Sequence, residues 1–359
     1  MDHMSNFDSS SSYVLEAHEA MRTYKFMTSE RLGASYNFEE RETSSCVCQF
    51  KYKTLRLKMV VFSSHYKLMT SERLGASYNP EERETTSSVL KFYEDFNYKT
   101  NPCLVFEELA IDLLMFTEFV VGSGLHLYDI RLIAQQVLVG LDFLHSNGIV
   151  HKDIKPNNIM LVDWSSLKVK LIDMGFTEEI GSMSNFYPNP LIFIPPEGIM
   201  RDKPDASLDM WCLGITLIYF YLKYFLFDYG TRDKTLAAIV KMLGEPHCSK
   251  TFSSWKNVIK KYDPVLKLQS LDDLLEIRPA TQDPAEREDL LSFIDFLKQM
   301  IVPTPQERIT SAAALKHNFI TMDHLAVPSE RLCKLAQPRP PAPGWQPGRP
   351  LPTPVSSSM

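Results

Sequence analysis

Apolar positions along the chain follow two regimes. Before residue 110 they come in short alternating runs: "TLRLKMVVF" (54–62), then "VLKFYEDF" (89–96) and "NPCLVFEEL" (101–109) around the turn residues "NYKTNP". Alternation of this kind predicts strands. From 128 the period becomes helical. "YDIRLIAQQVLVGLDFLHSNG" sets Ile130, Ile133, Val137, Leu141 and Leu144 on one face, and Asn147-Gly148 ends the helix. Short strands are predicted at 149–150, 159–162 and 168–172. Beyond 205 the chain reads helical, with loops near 244–250 and 278–287 and a last helix in "TSAAALKHNF", N-capped by Thr310 or Ser311. A β-rich start before a helical bulk predicts an α+β chain of two lobes.

One run is apolar all round, "WCLGITLIYFYLKYFLF" (211–227). It contains Lys223, follows Asp209 closely and is short for a comfortable membrane span, so it predicts a wholly buried core helix and no membrane association. The acidic, Ser-rich opening predicts no secretory signal.

The N-terminal region holds a duplication. "YKFMTSERLGASYNFEERETSS" (24–45) returns as "YKLMTSERLGASYNPEERETTS" (66–87), identical at 19 of 22 positions. Two copies are too few for a solenoid, and near-identity across mostly polar residues points to a segment duplication.

Composition narrows the classes. The chain has 359 residues, 44% hydrophobic, with net charge −6 and a pI near 5.9. No global basic field recruits nucleic acid or an anionic membrane. The six cysteines are scattered, with no metal-binding spacing, and read as reduced thiols.

The chemistry concentrates in "VHKDIKPNNIML" (150–161). Phosphoryl transfer needs a carboxylate near the acceptor hydroxyl, a cation on the γ-phosphate and oxygen ligands for Mg²⁺. Asp153 is the candidate base, Lys155 the γ-phosphate cation and Asn158 a metal ligand. Fifteen residues on, in "KLIDMGF", Asp173 ends an apolar strand, where a second metal ligand belongs.

These stretches resemble the catalytic loop and metal-binding motif of eukaryotic protein kinases. The resemblance runs from about 89 to 325. "IPPEG" (194–198) is similar to the motif closing the activation segment, and "SLDMWCLGITL" (207–217) to the central buried helix. It implies that Asp209 braces the catalytic-loop backbone and that Glu197 pairs with Arg308. "YEDFNYKTNPCLVFEEL", "IRLIAQQVLVGLDFLHSNGIVHKDIKPNNIMLVD" and "VKLIDMG" narrow it to the homeodomain-interacting protein kinases, of the CMGC type, related to the dual-specificity tyrosine-regulated kinases. The implied layout is a disordered 1–23, a degenerate small lobe 24–108, a helical lobe 109–325 and a disordered Pro-rich tail 326–359. The implied cofactors are ATP and Mg²⁺, and the implied location is nucleus or cytoplasm. The implied partners are protein substrates or transcription-related proteins.

The nucleotide-holding half departs from the family. No GxGxxG is present, only Gly33 in "LGASYN". Lys58 lies 25 residues after Gly33 and 48 before Phe106, which suits a nucleotide lysine and a gatekeeper; a surface strand lysine is the other reading. Glu107 to Leu109 would then be the hinge, and Asp112 a further nucleotide contact. The second repeat copy occupies the place of the helix whose Glu should pair with the lysine, and nothing selects among Glu72, Glu81 and Glu82. Two functions stay open: a Ser/Thr, or dual-specificity, kinase with weakened nucleotide binding, or a pseudokinase that serves as a protein-binding scaffold.

Tyr187 falls where the family carries its autophosphorylated tyrosine, and Leu191 replaces the arginine that follows there. Lys152 remains as a cation for a phosphate, or else Tyr187 packs beside Pro188. The tail, "PRPPAPGWQPGRPLPTP", offers P-x-x-P spacing for SH3- or WW-type grooves.

Overall fold

The computed structural model describes residues 39–41, 49–52, 55–59, 88–98, 101–247, 251–277 and 284–325. Gly33, both repeat copies apart from 39–41, the three candidate glutamates and the Pro-rich tail lie outside the described residues. The chain divides into two compact units, the cut falling between Ala110 and Ile111, with Ser88 in the second.

The first unit is a five-stranded antiparallel sheet in the order β1-β2-β3-β5-β4. Its strands are β1 (Glu39–Arg41), β2 (Gln49–Tyr52), β3 (Leu55–Met59), β4 (Phe92–Tyr98) and β5 (Asn101–Glu107). The alternating runs predicted as strands supply β3, β4 and β5. Lys58 sits in the central strand, its backbone opposite Gln49 on one side and Leu104 on the other. Phe106 is buried against Leu90 and Phe92, meeting the Phe92 ring edge-on at 5.7 Å.

The second unit is helical around one apolar core. β6 (Ile111–Asp112) leads to α1 (Leu127–Ser146), whose predicted apolar face is buried from Ile130 to Leu144. Gly148, at φ +72°, turns the chain into β7 (Ile149–Val150), and the loop beyond runs to β8 (Ile159–Leu161) and β9 (Val169–Leu171). β6, β8 and β9 form one small sheet, and β7 pairs with β10 (Glu178–Glu179). Then come α2 (Pro196–Met200), α3 (Ser207–Leu222), α4 (Arg232–Leu243), α5 (Phe252–Ile259) and α6 (Pro284–Met300).

α3 is the predicted all-apolar helix: every residue from Leu208 to Tyr221 is buried. It ends before the apolar run does. Lys223 turns left-handed at φ +61°, and its ammonium donates to the Gly122 carbonyl at 2.8 Å. No helix among the described residues is long and apolar enough to cross a membrane.

Two further boundaries differ from expectation. Residues 284–287, expected in a loop, already belong to α6, with Pro284 at a first-turn position that tolerates proline. The expected last helix breaks into two short turns, Ser311–Ala314 and Asn318–Thr321, because His317 Nδ1 accepts from the Phe319 N–H and caps a new start. Thr310 is the first cap, its side chain accepting from Ala313 N.

Candidate active site

The loop between β7 and β8 is held from beneath. Asp209, in the first turn of α3 and fully buried, accepts from the backbone N–H of His151 at 2.8 Å and of Lys152 at 2.9 Å. His145 Nε2 lies 2.9 Å from the same carboxylate. Burial opposes the charge on Asp209, yet His145 and His151 prevail and hold its pKa below the ordinary range. The Lys152 backbone is left-handed, φ +68°, a conformation a lysine adopts only when its surroundings impose it.

His151 joins the loop to the strand before Asp173. Its Nδ1 accepts from the Asp153 N–H at 3.2 Å, so Nε2 carries the proton and donates to the Ile172 carbonyl at 3.0 Å. With both ring nitrogens used inside the protein, His151 is a positioning group.

Asp153 is buried at the surface of this frame, 1% exposed. Lys155 Nζ lies 2.9 and 2.8 Å from its two oxygens. Asn158 Nδ2 donates to the Asp153 carbonyl at 2.8 Å and to Oδ2 at 2.7 Å. Burial still raises the Asp153 pKa above its ordinary value against the lowering effect of Lys155. A carboxylate with a raised pKa beside a cation suits a group that accepts a proton.

β8–β9 pairing brings the two candidate metal ligands together. Ile159 faces Leu171, and the Ile172 N–H donates to the Asn158 carbonyl at 3.0 Å. Asp173 follows immediately, left-handed at φ +61°, before a tight turn over Met174–Phe176. An amide oxygen and one carboxylate are hard donors too few to cage a cation, and the described residues contain no cluster of three or more His, Cys, Asp or Glu that would. That donor set fits Mg²⁺, which keeps waters and takes its remaining oxygens from a phosphate.

The hinge candidates begin at the end of β5. Glu107 exchanges bonds with Lys91: its N–H donates to the Lys91 carbonyl at 3.0 Å and its carboxylate accepts the Lys91 N–H at 2.6 Å. Phe106 and Leu109 are buried. Asp112 Oδ1 caps the next helical turn, accepting from Met115 N at 3.0 Å. The backbone of Lys58 is described and its side chain is not.

The segment from 178 to 198 closes over the loop. Lys152, expected as a cation for phosphate, is engaged by Glu178 at 2.9 Å and by the Ser184 carbonyl and hydroxyl at 3.3 Å each. Glu178 in turn accepts from the Ser184 N–H and hydroxyl, both at 2.6 Å. Burial would raise the Glu178 pKa, but Ser184 and Lys152 bring it below the ordinary range. Tyr187 is half-buried, and its hydroxyl donates to the Asp202 carbonyl at 3.1 Å; burial raises its pKa strongly. Its ring fills the place where a side chain on Gly198 would be. Glu197 and Arg308 form the expected pair. Sequence reasoning missed Glu178, Ser184 and His145, since each acts through a partner distant in the chain.

The protein kinase domain family model matches residues 58–320. The chain is 31% identical over 266 residues to serine/threonine-protein kinase ppk15 of Schizosaccharomyces pombe, covering 65% of this chain and 50% of that one. It is 29% identical over 280 residues to homeodomain-interacting protein kinase 1 of Caenorhabditis elegans, covering 66% and 33%. Identity to the probable serine/threonine-protein kinase dyrk2 of Dictyostelium discoideum is 30% over 230 residues, covering 63% and 25%. The chain thus spans between a quarter and a half of the length of these relatives.

Proposed function

The chain belongs to the protein kinase domain family, and from that premise we propose that it transfers the γ-phosphate of ATP to serine or threonine hydroxyls of proteins. The observation that supports this most directly is the Asp153 carboxylate, buried, raised in pKa and flanked by Lys155 and Asn158 on a loop pinned by Asp209.

In this reading Asp153 orients the acceptor hydroxyl and takes its proton. Lys155 leaves the Asp153 carboxylate to meet the transferring phosphoryl group, where a cation offsets developing charge. Asn158 and Asp173 would hold Mg²⁺, which neutralises phosphate charge when bound. Lys58 is proposed as the nucleotide lysine and Glu107 to Leu109 as the adenine-facing hinge, with nucleotide binding weakened by the missing glycines.

The test is thermal unfolding with and without Mg-ATP, beside Lys58→Met and Asp173→Asn, followed by γ-phosphate transfer to a generic protein substrate. Nucleotide at a hundred times Kd stabilises by about 2.7 kcal/mol. A Mg-dependent shift lost in both variants, with transfer lost in Asp153→Asn, supports the reading. Wild-type protein that neither shifts at millimolar nucleotide nor transfers phosphate would favour the scaffold reading.

A further inference from the structure

We propose that Asn189 is a positioning residue for Asp153, its carboxamide nitrogen tying the segment ahead of α2 to the carboxylate that receives the acceptor proton. The contact stands on geometry alone; its catalytic consequence rests on the phosphotransfer reading above.

Asn189 is buried between Pro188 and Pro190. Two prolines restrict the backbone on either side of it, so the side chain is aimed by the chain itself. One terminal atom of its carboxamide faces the Lys152 carbonyl oxygen and, at 3.1 Å, Asp153 Oδ1. The other end faces the Cys212 sulfur at 3.4 Å. Amide oxygen and nitrogen are told apart by their partners. Two acceptors on one side require the nitrogen there. The oxygen then faces Cys212, a thiol that burial keeps protonated and whose single proton also has the Phe193 carbonyl at 3.4 Å as an acceptor.

With the amide so assigned, Asp153 is surrounded by three donors. Lys155 spans both oxygens, Asn158 is on Oδ2 and Asn189 on Oδ1. A carboxylate offers about four acceptor positions. Lys155, on moving to phosphate, vacates one position on each oxygen, and these are open to an acceptor hydroxyl, while Asn158 on Oδ2 and Asn189 on Oδ1 keep the carboxylate plane fixed. The same nitrogen holds the carbonyl of Lys152, the left-handed residue directly before Asp153. One side chain thus fixes both the peptide and the carboxylate.

The experiment uses the full chain with Asn189→Leu and Asn189→Asp, assayed for kcat, for KM of Mg-ATP and for the pH dependence of transfer to a generic protein substrate. Asn189→Leu is expected to lower kcat at least tenfold while KM for Mg-ATP changes less than threefold. Asn189→Asp places a carboxylate against two acceptors, so the acidic limb should move up by at least half a pH unit. A kcat within threefold and an unmoved limb in both variants would overturn the proposal.

Should the wild-type chain transfer no phosphate, the phosphotransfer reading alone fails, and melting decides the contact. The introduced acid is forced to hold its proton when folded, so its folded pKa is raised. Asn189→Asp should then lose stability progressively as pH rises from 5 to 8, Asn189→Leu should not, and adding Asp153→Asn should shrink the loss. A pH-independent difference overturns the contact. If Asn189→Asp does not fold at neutral pH, the Asp153→Asn background is expected to restore folding, and failure to do so overturns it equally.

Discussion

Arg308 forks onto Glu197, Nη1 to Oε1 at 2.6 Å and Nη2 to Oε2 at 2.7 Å, with both side chains almost wholly buried. The guanidinium also donates through Nε to the Val302 carbonyl and lies 5.0 Å from the Trp211 ring. The pair joins the start of α2 to the chain before the last helical turns, 111 residues away. Its worth lies in geometry more than in net Coulomb energy, because both charges had to leave water.

Removing one partner should therefore hurt more than removing both. Glu197→Ala leaves a buried, uncompensated cation and is expected to cost about 3–5 kcal/mol. Glu197→Met combined with Arg308→Met should cost clearly less than the sum of the two single changes. Urea unfolding of the four proteins gives the coupling; additive losses would mean that the contact does not act as a pair.

Asp209 holds the backbone of the loop that carries Asp153. Asp209→Asn keeps the shape but can accept only through its oxygen, leaving one buried N–H of His151 or Lys152 unpaired at a cost of roughly 1–3 kcal/mol. Because its folded pKa is depressed, the wild-type advantage is complete above the unfolded value near ~3.9 and fades as pH falls through the folded value. The wild-type-minus-variant stability gap, followed from pH 7 to pH 3, should be flat at first and close only at the acidic end. A gap that closes between pH 5 and 7 would contradict this assignment.

The raised pKa of Asp153 has a kinetic signature. In the proposed role of base Asp153 must be ionised to work, so the acidic limb of kcat/KM should lie above the ordinary aspartate value near ~3.9. Lys155→Met removes the main lowering influence and should move that limb further up, besides reducing kcat. A limb that moves down, or stays put, would show that Lys155 does not face the ionised carboxylate.

Gly198 and Tyr187 meet closely. A Cβ at Gly198 would lie 2.6 Å from Tyr187 Cε1 and equally near Ile194 Cγ2. Gly198→Ala is expected to cost about 1–3 kcal/mol through displacement of the Tyr187 ring. Tyr187→Phe loses only the bond to the Asp202 carbonyl, on the order of 1 kcal/mol. Reversal of that order in thermal melts would mean that the hydroxyl, and not the ring, anchors the segment.

These contrasts mark where the sequence was legible. Asp153, Lys155, Asn158 and Asp173 lie in two short stretches whose spacing encodes a strand–loop–strand unit, so their neighbourhood could be read without coordinates. The same holds for α3, whose unbroken apolar run requires burial on every side. Contacts such as Lys152 with Ser184, 32 residues apart, or His145 with Asp209, 64 apart, come from tertiary packing and leave no local pattern. His317 shows a subtler limit: one ring nitrogen restarts a helix inside a stretch whose composition reads as continuous.

Lys152 and Glu178 replace an outside anion with one from the chain. The Lys152 side chain is 1% exposed and Glu178 29%, and Ser184 closes the group by donating to Glu178. A phosphate is not needed to hold this part of the segment, so phosphatase treatment should leave the melting temperature unchanged. Glu178→Gln should lower stability by roughly 1 kcal/mol, since the amide oxygen still accepts from Lys152 but no longer carries the charge that pairs with it. The folded pKa of Glu178 is depressed, so its contribution is complete above the unfolded value near ~4.3 and is lost as pH falls through the folded one. The Glu178→Gln deficit should accordingly be constant from pH 8 to about 5 and shrink below the unfolded value. A deficit that grows on acidification, or a melt that drops after dephosphorylation, would place the anchor somewhere other than this carboxylate.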